Sequence, residues 1–145
     1  VLDTTVMLGA IPAAYRAIGD AGSLDVYFAM ARGRQTDGVD VPASEMTKWF
    51  DTNYHYMVPE LEPEQAFALN PAKPLGEYRE AAALGHKTRP VIVGPVSWLK
   101  FAKSRTPGFD PLSLLGKVLP LYADLLGQLA AEGAEWVQID EPALV

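Results

Sequence analysis

The chain has 145 residues, enough for one domain with a real core, and its 49% apolar and 21% charged composition is that of an ordinary globular protein. A net charge of -6 and a pI near 4.8, with basic residues thinly spread, exclude the clustered Lys and Arg that a nucleic-acid surface needs. The absence of cysteine excludes disulfides, thiolate nucleophiles and thiolate zinc sites within the chain.

Residues 1–18 carry a rough apolar stripe at helical spacing (Val6, Leu8, Ile11, Ala14, Tyr15, Ile18), weakened by Gly9 and Pro12, and predict a helix. Residues 24–31 predict a second, short helix. Residues 32–38 are polar, with Arg32 and Arg34 flanking Gly33, and predict a loop. That loop suits a small anion, although solvation is its plainer role. Residues 43–50 predict a short turn of helix or irregular chain. The aromatic and β-branched run 53–60 predicts a strand closed by Pro59.

A loop rich in Pro, Asn and Ala separates this strand from a helix over 75–84 that ends at Gly85. The uniformly apolar run 90–95 predicts a strand buried on both faces, as in parallel sheets. Asp110 and Pro111 are a helix N-cap and first-turn signal. Leucine-rich spacing continues the helix to Glu132, with Pro120 expected to bend or split it. Gly133 then caps it, and residues 136–140 predict the next strand.

Helix, glycine, short loop and apolar strand thus occur twice in succession, which argues α/β architecture with parallel strands and helices outside. About three strands are visible, whereas a closed β/α barrel uses eight in about 250 residues. The chain also begins within an apolar pattern at Val1 and ends at Val145 just after a strand. The expectation is a fragment, one partial (β/α)8 TIM-type barrel over residues 1–145, with an open doubly wound domain as the alternative. Open strand edges lead us to expect an isolated fragment to self-associate. No stretch of 18 apolar residues predicts a membrane span, and no secretory signal is visible.

Chemistry in such folds collects at the C-terminal ends of strands. Asp140 and Glu141 are sequence neighbours, so extended chain sends them to opposite faces and they cannot share a proton as a dyad. Their plainer role is to end a buried strand, and Glu60 is equally ambiguous. His55 lies between tyrosines and reads as a hydrogen-bonded core residue, whereas His86 follows a helix cap and reads as solvated. Two histidines on separate elements are too few for a multi-histidine metal site. Lys48, beside Trp49, is a flexible point charge suited to a carboxylate or phosphate, or simply an exposed lysine with its stem on the indole. No Walker loop, dinucleotide fingerprint or nucleophile elbow is present.

Three stretches carry a resemblance: residues 45–60 (EMTKWFDTNYHYMVPE), 90–98 (PVIVGPVSW) and 135–145 (EWVQIDEPALV). In order and spacing they resemble the N-terminal domain of cobalamin-independent methionine synthases. The resemblance implies a cytoplasmic methyltransferase of methionine biosynthesis built from two face-to-face barrels. Zinc in the C-terminal barrel, held by His, Cys and Glu outside this chain, activates homocysteine, and no cobalamin is used. The methyl donor is 5-methyltetrahydropteroyltriglutamate, a folate whose anionic tail the N-terminal barrel helps to bind. Lys48 matches the family lysine of the MTKWF motif associated with folate binding, which reverses the plainer reading of that residue. The family's basic segment near the start of the full protein is not in this chain. Asp140 matches an aspartate that holds the homocysteine amine only in the C-terminal half. Here the resemblance makes it a relic of duplication or a structural residue. On this reading the chain alone is inactive. The alternatives are a stand-alone, non-catalytic binding or structural module derived from such a barrel, and the C-terminal-half barrel of a shorter relative, which the missing cysteine opposes.

Overall fold

A computed structural model describes residues 1–36 and 38–145. The chain begins with α1 (Leu2–Met7), far shorter than the helix expected over residues 1–18. Gly9 at φ 65° turns the backbone out of the helix, and a Cβ there would lie 2.7 Å from Ala68 O. Chain from the 68–70 segment takes up the carbonyls freed by this ending. Ala68 N–H donates to Leu8 O at 3.1 Å and Asn70 N–H to Met7 O at 2.7 Å. Pro12, which has no N–H, then leads into a single 3-10 turn, Ala13–Tyr15.

Helix α2 (Leu24–Arg32) starts where Ser23 accepts from Val26 N–H at 3.4 Å. Asp25 in its first turn and Arg32 in its last complement the helix dipole. Val26, Ala29 and Met30, spaced three and four apart, bury against Ile11, Tyr15 and Val41 as a small separate core. The expected polar loop over 32–38 instead contains the last residue of α2, Arg32, and a short strand. Arg34–Thr36 (β1) pairs antiparallel with Val39–Val41 (β2). Its first arm is wholly polar, with Gln35 donating to Asp40 across the pair at 3.1 Å, so that arm has no apolar alternation to read. Asp37 of that expected loop lies outside the described residues.

Residues 43–50 are also corrected. Met46–Lys48 forms β3, antiparallel to β4 (His55–Met57), in the register Met46↔Met57, Thr47↔Tyr56, Lys48↔His55. The strand expected over 53–60 is thereby the second arm of a hairpin rather than a lone parallel strand.

The remaining elements follow the expected order. Helix α3 (Ala72–Ala83) is followed by Gly85 at φ 82°. Strand β5 (Val91–Val93) leads directly into α4 (Pro95–Phe101), a helix the apolar run had concealed. Asp110 accepts from Leu112 N–H at 3.0 Å and opens the 3-10 turn Pro111–Leu114. Helix α5 (Leu115–Ala131) continues from that turn and passes through Pro120 unsplit. Proline costs one backbone bond there, and Val118, Tyr122, Leu125 and Leu129 hold the helix by burial. Strand β6 (Gln138–Asp140) then pairs parallel with β5, Ile92 opposite Ile139.

Among the described residues the fold is mixed α/β, with three two-stranded sheets of which only β5–β6 is parallel. An isolated parallel bridge, Glu60↔Lys103, links the end of the β4 arm to the chain after α4. No closed barrel is formed. Nor is β5 buried on both faces: Val91 is 56% exposed, and Ile139 of β6 is 41% exposed. Ile92 is nonetheless buried in the main core, where Trp98 and Leu99 of α4 meet Leu8, Leu61, Val118, Leu125 and Leu129. Trp98 is fully buried, and its indole N–H donates to Thr5 Oγ1 at 3.2 Å. Residues Pro111–Ala131 are long and apolar enough to cross a membrane by composition, but their apolar stripe packs into this core.

Leu125 is fully buried, whereas Leu119 on the same helix is 48% exposed. Leu125→Ala is expected to cost about 2–5 kcal/mol and Leu119→Ala within about 0.5 kcal/mol. Urea midpoints of the two variants measure the difference.

Candidate functional site

Lys48 stands at the end of β3 with its side chain in solvent, directly opposite His55. The turn beyond it is self-bonded. Thr52 Oγ1 donates to Trp49 O at 2.5 Å and accepts from Tyr54 N–H at 3.1 Å. Phe50 adopts φ 51° there, a left-handed conformation uncommon for a bulky residue.

One face of the hairpin is aromatic. The Trp49 ring lies 5.9 Å from Tyr56 and 4.9 Å from Phe101 of α4, and Tyr56 lies 5.3 Å from Phe101. Edge and tilted contacts of this kind add to the burial of the rings. They fasten the hairpin to α4 and leave the opposite face, with Lys48 and His55, free of packing by those rings. Burial pushes the Tyr56 hydroxyl above its ordinary range, with Lys103 opposing and Glu45 reinforcing the shift.

His55 is exposed rather than a core residue, and its Nδ1 lies 2.9 Å from Asn53 O. The local turn, not a packed interior, supplies its partner. His86 is exposed, as expected. Glu45 pairs with Lys103 and Glu60 with Arg105 at 3.1 Å. None of the ion pairs among the described residues includes Lys48.

The strand-end acids have separate partners. Asp140 is exposed and accepts from Gln138 Nε2 at 2.7 Å. Glu141 turns back to the first turn of α4, where its two oxygens accept from Val96 N–H at 3.0 Å and Ser97 N–H at 2.6 Å. These groups are orphan donors of a helix start, and a carboxylate suits both the bonds and the dipole. Ser97, itself fully buried, accepts in return from Ala143 N–H at 3.0 Å. Gly94 permits this approach, because a Cβ there would lie 2.2 Å from the Glu141 carboxylate. Tyr122 donates to Val93 O at 2.6 Å, and burial first, then the Glu141 charge, raises its hydroxyl far above the ordinary phenol range.

The two arginines that flank Gly33, read as solvated with an anion site as the other possibility, are engaged within the chain. Arg32 stacks over Phe28 at 4.8 Å, and Arg34 lies 3.5 Å from Asp25. Among the described residues no group of three or more His, Cys, Asp or Glu is gathered to hold a metal ion. An open cleft of about 760 Å³ lies elsewhere, among Tyr78, His86, Lys87, Arg89, Glu135 and Trp136, and contains neither Lys48 nor the strand-end acids.

Sequence reading missed the Lys48–His55 pairing and the Glu141 contact with α4. The first needed the register of a hairpin whose β3 arm read as irregular. For the second a signal was present: Gly94 followed by Pro95 is a helix-start pattern. Glu141→Ala should destabilise the protein by about 1–3 kcal/mol through the unpaired Val96 and Ser97 N–H groups. Glu141→Gln, which keeps an acceptor oxygen, should lose less. Thermal and urea unfolding of the two variants gives the comparison.

The chain matches, over residues 1–145, the family described as the N-terminal domain of cobalamin-independent synthases. A relative from Xylella fastidiosa (strain 9a5c) is 61% identical over 145 residues, covering all of this chain and 19% of the relative. One from Bradyrhizobium diazoefficiens is 58% identical over 156 residues, covering all of this chain and 20% of the relative. One from Caulobacter vibrioides is 58% identical over 159 residues, covering 99% of this chain and 20% of the relative. All three are named 5-methyltetrahydropteroyltriglutamate–homocysteine methyltransferase. The chain therefore spans about a fifth of the length of these relatives. The match across its whole length shows that it belongs to the N-terminal-domain family of the cobalamin-independent synthases.

Proposed function

We propose that this chain is part of a cytoplasmic methyltransferase that moves a methyl group from 5-methyltetrahydropteroyltri-L-glutamate to L-homocysteine, forming methionine. Its own contribution is part of the folate-binding surface, with Lys48 as a contact for the glutamate tail. The observation that carries this reading is the position of Lys48. It is a solvent-exposed ammonium, held on a hairpin fastened by aromatic rings and outside every ion pair among the described residues. The names of the relatives support the substrate class.

The partial-barrel architecture belongs to the same proposal. The parallel β5–β6 pair, backed by α4 and α5, is the kind of unit a β/α barrel repeats. Exposed Val91 and Ile139 are the residues that further barrel elements would cover.

The residues present do not fit a zinc site. The chain has no cysteine, and His55 and His86 are separated between a strand of the hairpin and the chain after α3. Zinc and homocysteine are assigned to other parts of the longer protein, and no chemical step is assigned to residues of this chain.

In the full-length protein, Lys48→Ala should raise KM for the triglutamate folate about five- to tenfold, the loss of a charge-assisted contact. KM for the monoglutamate folate should change much less. Equal effects on the two substrates would remove Lys48 from the tail site.

A further inference from the structure

The β3–β4 hairpin sets two basic side chains against each other. Trp49 N–H donates to Tyr54 O at 2.7 Å and Val58 N–H to Glu45 O at 2.8 Å. Alternation along an antiparallel ladder then makes Lys48↔His55 a non-hydrogen-bonded pair. In such pairs the Cα atoms lie about 4.5 Å apart and both side chains leave the same face.

The imidazole is also oriented. A carbonyl oxygen only accepts, so the 2.9 Å contact between His55 Nδ1 and Asn53 O places a proton on Nδ1. Nε2 remains for an outside partner, accepting when the ring is neutral and donating when it is charged.

The hairpin carries two carboxylates of its own. Glu45 is engaged by Lys103, and Asp51 lies in the exposed turn. Tyr56 faces Phe101 on the aromatic side, and α4 adds Lys100, a further cation. Like charges directly across a hairpin oppose each other, and an anion between an ammonium and an imidazolium relieves that opposition. A carboxylate meets both.

We infer that His55 is a specificity-determining residue of the Lys48 site, its charged imidazole and the Lys48 ammonium together holding one carboxylate of an oligoglutamate chain. This rests on the folate-tail reading of Lys48. Imidazole, as a side-chain type, ordinarily gains its proton between pH 8 and 5, a range in which an ammonium does not change. Binding of the tail therefore strengthens as pH falls toward 6.

The test is calorimetric titration of the full-length protein with N-acetylated γ-linked triglutamate peptide, which has no titrating amine, at pH 6 and pH 8. The wild type should bind about two- to fivefold more tightly at pH 6, the range for an exposed pair. His55→Gln should keep the pH 8 affinity and lose the gain, whereas His86→Gln should keep the gain. Lys48→Ala should weaken binding at both pH values. A gain that survives in His55→Gln overturns the inference and leaves Lys48 in place. Failure of the wild type to bind the peptide, or no effect of Lys48→Ala, overturns the reading beneath it as well.

Discussion

Helix α4 is too short to persist alone, since a first helical turn costs more order than its single bond returns. Yet the main core, the β3–β4 hairpin and the parallel strand pair all meet at it. Trp98 and Leu99 carry it into the main core beside α5. Phe101 at its last turn receives the Trp49 and Tyr56 rings of the hairpin. The Glu141 carboxylate, arriving from the end of β6, satisfies the N–H groups of its first turn. Seven residues thus join core, hairpin and parallel strand pair, and each connection supplies what the isolated helix lacks.

The same arrangement explains why Lys48 is available to a ligand. A hairpin of three-residue strands buries little apolar surface and is marginal by itself. Packing of its aromatic face on Phe101 fixes its orientation and turns the alternate positions, Lys48 and His55, to solvent. Of the carboxylates near this region, Glu45 is engaged by Lys103 and Glu60 by Arg105, while Asp51 stands in the exposed turn. The positive charge of Lys48 is left uncompensated within the pairs described, in a chain whose net charge is negative. That contrast makes a local anion contact compatible with an acidic protein, because an exposed charge acts over little more than a Debye length.

Glu141 illustrates how a strand-end acid acquires a structural role. The sequence neighbours Asp140 and Glu141 differ in surroundings, not in chemistry. One meets Gln138 in solvent, and the other reaches a helix start that only a glycine at position 94 lets it approach. The β5–β6 pairing brings these segments together across more than forty residues of sequence.

Local chemistry determined a good deal without tertiary help. Asp110 and Pro111 announced the start of the long helix, Gly85 the end of α3, and the apolar runs at 90–95 and 136–140 the two strands that pair in parallel. Motifs around Lys48, Trp98 and Asp140 carried the family resemblance, because a motif is linear information. What depended on partners distant in sequence was not written locally. The β3 arm exists only because β4 lies beside it, and a one-residue change of register would send Lys48 to the other face. Helix α1 stops where the 68–70 segment crosses it. His55 read as a core residue from its aromatic neighbours, yet those rings pack on α4 by alternate positions and leave it exposed. Periodicity and caps are properties of consecutive residues, so sequence alone determined the elements they mark. Register, burial and the pairing of charges are set by contacts between segments, and only the tertiary structure decided them.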